Sequence, residues 1–193
     1  MKGGKIMNRK YYLLIILFGL IVVFGASQID SMTPQQSHPK ILPKPPPYIY
    51  LSKLIQTKQP KLDPIITTEI AKAVHKYSIK YQLPPELIIA VIERESTFRS
   101  TLVSNAGCKG LMQINVKFHQ EKLKKLNVKG KQIFYIGNNI HLGVMILREY
   151  YDSTQTISEA LTKYVGGSQK EYIKDIVFSF TDLSIKKCEN KLK

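Results

Sequence analysis

The sequence predicts a mainly α-helical domain behind an apolar leader, and three observations carry that expectation. Apolar residues recur at three- and four-residue steps through Ile66, Ile70, Val74, Tyr77 and Tyr81, the spacing that gives a helix one buried face. The segment LPPELIIAVIERES opens on Pro84 and Pro85, which suit a helix entry, and is apolar on nearly every side, so it belongs at the centre of a core. No stretch of useful length alternates apolar and polar residues as a strand would, which leaves room for a minor hairpin at most.

Lys2, Lys5, Arg9 and Lys10 precede the apolar run YYLLIILFGLIVVFG at 11–25, and Gly25, Ala26 and Ser27 follow it. A basic start, an apolar centre and small residues describe an export signal. The run is shorter than the about 20 residues of a typical membrane span. Residues 1–27 therefore read either as a cleaved signal peptide or as an uncleaved inner-membrane anchor, and both put the rest of the chain in the periplasm or cell envelope. No cysteine lies near the end of the run, which argues against a lipoprotein signal. Six prolines between residues 31 and 48 favour an extended spacer, so 28–62 reads as a Pro-rich linker. Residues 63–182 are of single-domain size, and 183–193 read as a basic C-terminal tail.

Within the domain, Asp63 caps and Pro64 opens the first predicted helix, which ends near Tyr81. The second starts at the proline pair and ends near Ser96. A glycine-punctuated stretch, SNAGCKGLMQIN at 104–115, comes next, then a basic segment over 117–131 read as a solvated face. Further helices are expected over about 139–151, 157–165 and 169–180.

The formal net charge is +15, and removal of 1–27, with four bases and no acids, would leave 15 − 4 = +11. Such a surface attracts polyanions; outside the cytoplasm these are cell-wall glycan with its peptide carboxylates, anionic lipid or stray nucleic acid. The stretch KFHQEKLKKLNVKGKQ lacks the interleaved aromatics of a nucleic-acid surface, and no nucleic-acid partner is expected. His38, His75, His119 and His141 show no metal-ligand spacing, so no metal is expected. Ser96 has no evident histidine and acid partners and reads as helix-terminal structure. Cys108 and Cys188 are the only cysteines; pairing is chemically allowed in an exported chain, and geometry decides it.

The second helix ends on two glutamates. Glu95 follows Val91 and Ile88 on its own face and stands at the helix end where the dipole disfavours negative charge. Both effects raise a carboxylate pKa towards that of a general acid. Glu93 has Ile89 and Ala90 behind it, so periodicity alone does not separate the two.

Four ordered elements do separate them: ESTF at 95–98, SNAGCKGLMQIN at 104–115, NNIHLG at 138–143 and ALTKYVGG at 160–167. Together they resemble the soluble lytic murein transglycosylases, the SLT-domain, goose-lysozyme-like class. In that family a Glu-Ser pair, a GLMQ segment, an Asn-Ile-x-x-Gly element and an Ala-x-x-x-Tyr-Asn-x-Gly element occur in this order. The resemblance spans 63–182. It implies a lysozyme-like helical domain whose buried central helix carries the catalytic glutamate. It implies cleavage of the β-1,4 bond between N-acetylmuramic acid and N-acetylglucosamine in peptidoglycan, with 1,6-anhydro-N-acetylmuramic acid as product and no cofactor. Carried over by position, Glu95 is the catalytic acid and base. Ser104, Gln113, Asn115 and Tyr164 are the substrate-binding residues.

Two positions depart from the family pattern: Val165 stands where asparagine follows the tyrosine, and Cys108 where alanine is common. The rival activities are a hydrolytic lysozyme and a non-catalytic peptidoglycan-binding component of a secretion or conjugation assembly. A lysozyme calls on a second carboxylate, and the next acids, Glu121, Glu149 and Asp152, lie outside the four elements. Small secretion-associated transglycosylases share this one-domain build, so such machinery joins glycan strands and the inner membrane among the expected partners.

Overall fold

A computed structural model describes residues 46–167 and 169–191. The leader over 1–27 and the linker before residue 46 lie outside the described residues. Among those described there is no sheet; the expected hairpin reduces to isolated bridges pairing Lys109 with Val103 and with Ile114. No described helix is long and apolar enough to cross a membrane.

Seven α-helices and one 3₁₀ turn form the described chain. They are α1 (Pro47–Lys58), α2 (Pro64–Tyr81), α3 (Pro85–Ser96), α4 (Gln120–Lys125), the 3₁₀ turn (Gly130–Phe134), α5 (Ile136–Thr154), α6 (Ile157–Val165) and α7 (Lys170–Lys191). The Asp63 carboxylate caps α2 as expected, accepting from the Ile65 and Ile66 amides at 2.7 and 3.2 Å, which satisfies two donors the first turn cannot. α3 is the central helix: Leu87 through Ile92 are all buried. It packs against α1, α2 and α7, while α5 packs against α2 and α6.

Two elements differ from expectation. Within the 28–62 segment read as linker, α1 forms, and Leu51, Leu54 and Ile55 are buried in the common core. Its prolines sit at the cap and the first turn, where proline costs a helix no hydrogen bond. Beyond them Leu51, Leu54, Ile55 and Lys58 repeat at helical spacing. At the other end, 183–193 does not start as a tail: α7 continues to Lys191, with Leu183 fully buried. The Lys187 ammonium also lies 2.8 Å from the buried Glu86 carboxylate on α3. That approach is off the hydrogen-bonding direction, so the contact is ionic.

α2 and α5 are joined through His141, whose ring stacks on Tyr77 with centroids 4.3 Å apart while its Nε2 accepts from the Tyr81 hydroxyl at 2.8 Å. Burial, with Lys80 and Lys76 nearby, holds the imidazole down at about 4, so it is neutral and serves packing.

Candidate active site

The last turn of α3 presents its two glutamates to different surroundings. Glu93 is committed to structure. Its Oε2 accepts from Ser179 Oγ at 2.5 Å and lies 3.4 Å from the Lys58 ammonium, which also approaches Asp182 at 3.3 Å. This carboxylate ties α1, α3 and α7 together.

Glu95 makes no ion pair among the described residues. Its partner is neutral: the Tyr172 hydroxyl, on the buried face of α7, donates to Oε1. Burial pushes the Glu95 pKa up; the Tyr172 hydrogen bond and the neighbouring Arg94 pull the other way without overcoming it. Glu95 also stands at the helix end where unsatisfied carbonyls repel an anion. Tyr172 is itself held well above its usual range, by burial and then by the Glu95 charge, so it remains a hydrogen-bond donor at any working pH. Arg94 lies 5.1 Å over the Tyr172 ring and pairs with Asp175 at 3.2 Å, which fixes the ring from behind.

Immediately after Ser96 the chain turns sharply. Thr97 and Phe98 both take left-handed backbone angles, φ 50° and 62°, and the Phe98 side chain is buried. A bulky residue in that region is uncommon and needs surrounding packing to hold it. Ser96 is buried, with its hydroxyl donating to the Ile92 carbonyl at 3.1 Å, so it serves the helix end.

The loop over 104–115 is held by residues from two helices. Asn139 on α5 is fully buried: Oδ1 accepts from the Met112 amide at 2.7 Å, and Nδ2 donates to the Lys109 and Ile133 carbonyls at 2.9 and 3.0 Å. Gly110 is required beside it, because φ is +78° and a Cβ there would meet Asn139 Nδ2 at 2.3 Å. From α6, the Tyr164 hydroxyl donates to the Met112 carbonyl at 2.8 Å.

Of the predicted site residues, Tyr164 feels Glu95: burial raises the Tyr164 pKa most and the Glu95 charge adds to it, with no hydrogen bond between the two among the described residues. Ser104, Gln113 and Asn115 belong to the adjoining loop, and none hydrogen-bonds to Glu95 among the described residues. Ser104 Oγ accepts from the Cys108 amide at 3.1 Å, which leaves its proton for a ligand. The Gln113 amide nitrogen donates to Gly110 and Leu102 carbonyls at 2.9 and 3.3 Å, which leaves its carbonyl oxygen. Asn115 Oδ1 accepts from the Lys117 amide at 3.1 Å, closing a turn.

Sequence reasoning missed Tyr172 and Asn139. Tyr172 begins the buried stripe Tyr172, Ile176, Ser179 and Leu183 at four-, three- and four-residue steps, and a buried tyrosine needs a polar partner. That was the available signal. Asn139 lay inside the NNIHLG element, unmarked because its work is done on backbone groups distant in sequence.

An open cleft of about 470 Å³, lined among others by Tyr81, Lys122, Arg148, Glu149 and Asp152, does not include Glu95. Its acids are neutralised: Glu149 pairs with Lys122 at 2.8 Å and Asp152 with Arg148 at 2.6 Å. The chemistry therefore points to Glu95, and not to this cleft, as the candidate site. Cys108 and Cys188 are both free.

A family model described as Transglycosylase SLT domain matches residues 72–174 of the 193-residue chain, a span that contains Glu95, the 104–115 loop, Asn139, Tyr164 and Tyr172. No curated protein matches the chain.

Proposed function

The chain belongs to the transglycosylase SLT domain family, which implies lytic transglycosylase activity on peptidoglycan, and from that premise we propose that Glu95 is the single acid and base of the reaction. Protonated Glu95 gives its proton to the oxygen of the β-1,4 bond between N-acetylmuramic acid and N-acetylglucosamine, and the bond from that oxygen to muramoyl C1 breaks. The carboxylate left behind takes the proton of the muramoyl C6 hydroxyl as its oxygen closes onto C1. One proton leaves Glu95 and one returns, and the products are a free N-acetylglucosamine hydroxyl and a 1,6-anhydro ring.

One observation carries this reading: Glu95 is desolvated, has a raised pKa and is held by a neutral hydroxyl, while Glu93 on the same turn is paired with the Lys58 ammonium and hydrogen-bonded by Ser179. A group that must be acid first and base second works best with a pKa lifted towards the working pH. Tyr172 is the positioning residue, fixing one oxygen of Glu95 so that the other faces the substrate. Ser104, Gln113, Asn115 and Tyr164 are the substrate-binding groups of this reading; the first two keep a donor and an acceptor for the sugar, and Tyr164 shapes the floor between Glu95 and the loop. A lysozyme-like arrangement of the helices around α3 belongs to the same proposal. So does export to the periplasm or cell envelope, with residues 1–27 as signal or inner-membrane anchor. Service to a secretion or conjugation machine fits a one-domain enzyme that opens the wall locally.

Hydrolysis is the weaker reading because it needs a second carboxylate, and Glu149 and Asp152 are both engaged by cations at a different opening. The test compares Glu95→Gln with Glu93→Gln on purified sacculi followed by turbidity. Glu95→Gln abolishes lysis with folding intact. Glu93→Gln keeps turnover and lowers stability by about 1 kcal/mol, the scale of one partly exposed ion pair. Loss of lysis in Glu93→Gln with retention in Glu95→Gln would reverse the assignment.

A further inference from the structure

The outward face of α7 carries a stripe that the other described residues leave exposed. Lys174, Phe178, Thr181, Ile185 and Cys188 follow at steps of four, three, four and three residues, and all are exposed, Phe178 at 76% and Ile185 at 53%. The opposite stripe, from Tyr172 to Leu183, already supplies the core. Among the described residues the Phe178 ring is therefore left largely uncovered and the Ile185 side chain, two helical turns on, about half uncovered.

We propose that this face packs antiparallel against the same face of a second copy of the chain, about a twofold axis passing α7 between Thr181 and Asp182. Under that axis Phe178 lies opposite Ile185 of the second copy, and Lys174 lies opposite Glu189, because both pairs share one midpoint on the helix. Apolar meets apolar and cation meets anion, twice over, which is the self-complementarity an isologous interface requires. The parallel arrangement would set Lys174 on Lys174 and is disfavoured by like charge. Lys174 is available for this: its partner within the chain is the neighbouring, exposed Glu171 at 3.6 Å, a weak contact. Glu189 is exposed and makes no ion pair among the described residues. With a net charge of +15, two copies repel overall, so complementary pairs at the contact decide the register. The inference is independent of the reaction proposed above.

Cysteine trapping in cells producing the full chain tests it. Thr181 is exposed and its hydroxyl bonds only within its own helix, so Thr181→Cys, in a Cys108→Ser/Cys188→Ser background, puts one thiol beside the axis without touching the core. On treatment with copper phenanthroline, which takes up the two electrons as two thiols become a disulfide, this variant gives a band of twice the chain mass. A chain with Cys188 as its sole thiol gives none, since the two Cys188 residues would lie about 20 Å apart along the helices, beyond disulfide reach. Adding Lys174→Glu lowers the Thr181→Cys dimer several-fold, and adding Glu189→Lys to that restores it. Absence of the Thr181→Cys dimer, a dimer through Cys188 alone, a band of another mass, or a charge exchange without effect would each overturn the proposal.

Discussion

Glu93 and Glu95 stand two residues apart on one helix turn and differ in every property that decides chemistry. One lies among Lys58, Ser179 and the neighbourhood of Asp182; the other faces a tyrosine hydroxyl in a desolvated pocket. The raised Glu95 pKa has a sign that can be followed. Turnover that begins with proton donation falls as pH rises through that pKa, above the ordinary carboxylate range of about 4.3. The Tyr172 hydrogen bond favours the ionised form, so Tyr172→Phe raises the pKa further. The pH profile of kcat/KM then moves its falling limb to higher pH, whereas a merely structural Tyr172 would lower activity and leave the limb in place. Folding is linked in the same direction: protonated Glu95 favours the native state, and that contribution is lost as pH rises through the raised pKa. Glu95→Gln therefore melts at a higher temperature than the parent at neutral pH. The sequence places Glu95 at a helix end above Val91 and Ile88, but not its partner, because Tyr172 lies 77 residues away and only packing of α7 on α3 brings them together.

Four helices read in the sequence appear near their expected places, and α6 appears at its expected residues, Ile157–Val165. Their 3.6-residue periodicity is local information. The loop between α3 and α4 is different: its shape depends on Asn139 and Tyr164, which approach from helices formed later in the chain. Asn139→Ala leaves the buried Met112 amide and the Ile133 carbonyl without partners. At about 1–3 kcal/mol for each unsatisfied buried group, it lowers stability by about 3 kcal/mol in denaturant unfolding. Because Met112 lies between Gly110 and Gln113, lysis falls as well, through loosening of the loop that carries Ser104, Gln113 and Asn115. A neutral effect on both readouts would show that the loop holds its shape without α5.

Across the described chain, α1 and the end of α7 close the core around α3, and both are hard to see in the sequence for the same reason. Composition masks periodicity: prolines before α1 suggest a spacer, and lysines after Asp182 suggest a tail. Yet Ile55 and Leu183 are fully buried, and Lys58 and Lys187 form ion pairs with α3 acids. Ile55→Ala accordingly costs about 3 kcal/mol, the scale of a large-to-small core substitution, measured by denaturant unfolding; a value near zero would return 47–58 to the linker. In the proposed reaction one carboxylate suffices for glycan cleavage because the substrate brings its own nucleophile. The muramoyl C6 hydroxyl is tethered to the reacting ring, and water cannot match the effective concentration of a well-held intramolecular group. The direct test is the mass and borohydride response of the muropeptides released from purified sacculi by the full chain. Products one water lighter than hydrolysis gives and inert to borohydride, ending in 1,6-anhydro-N-acetylmuramic acid, are the expected result. Reducible products heavier by that water would contradict it and require a second carboxylate beside Glu95.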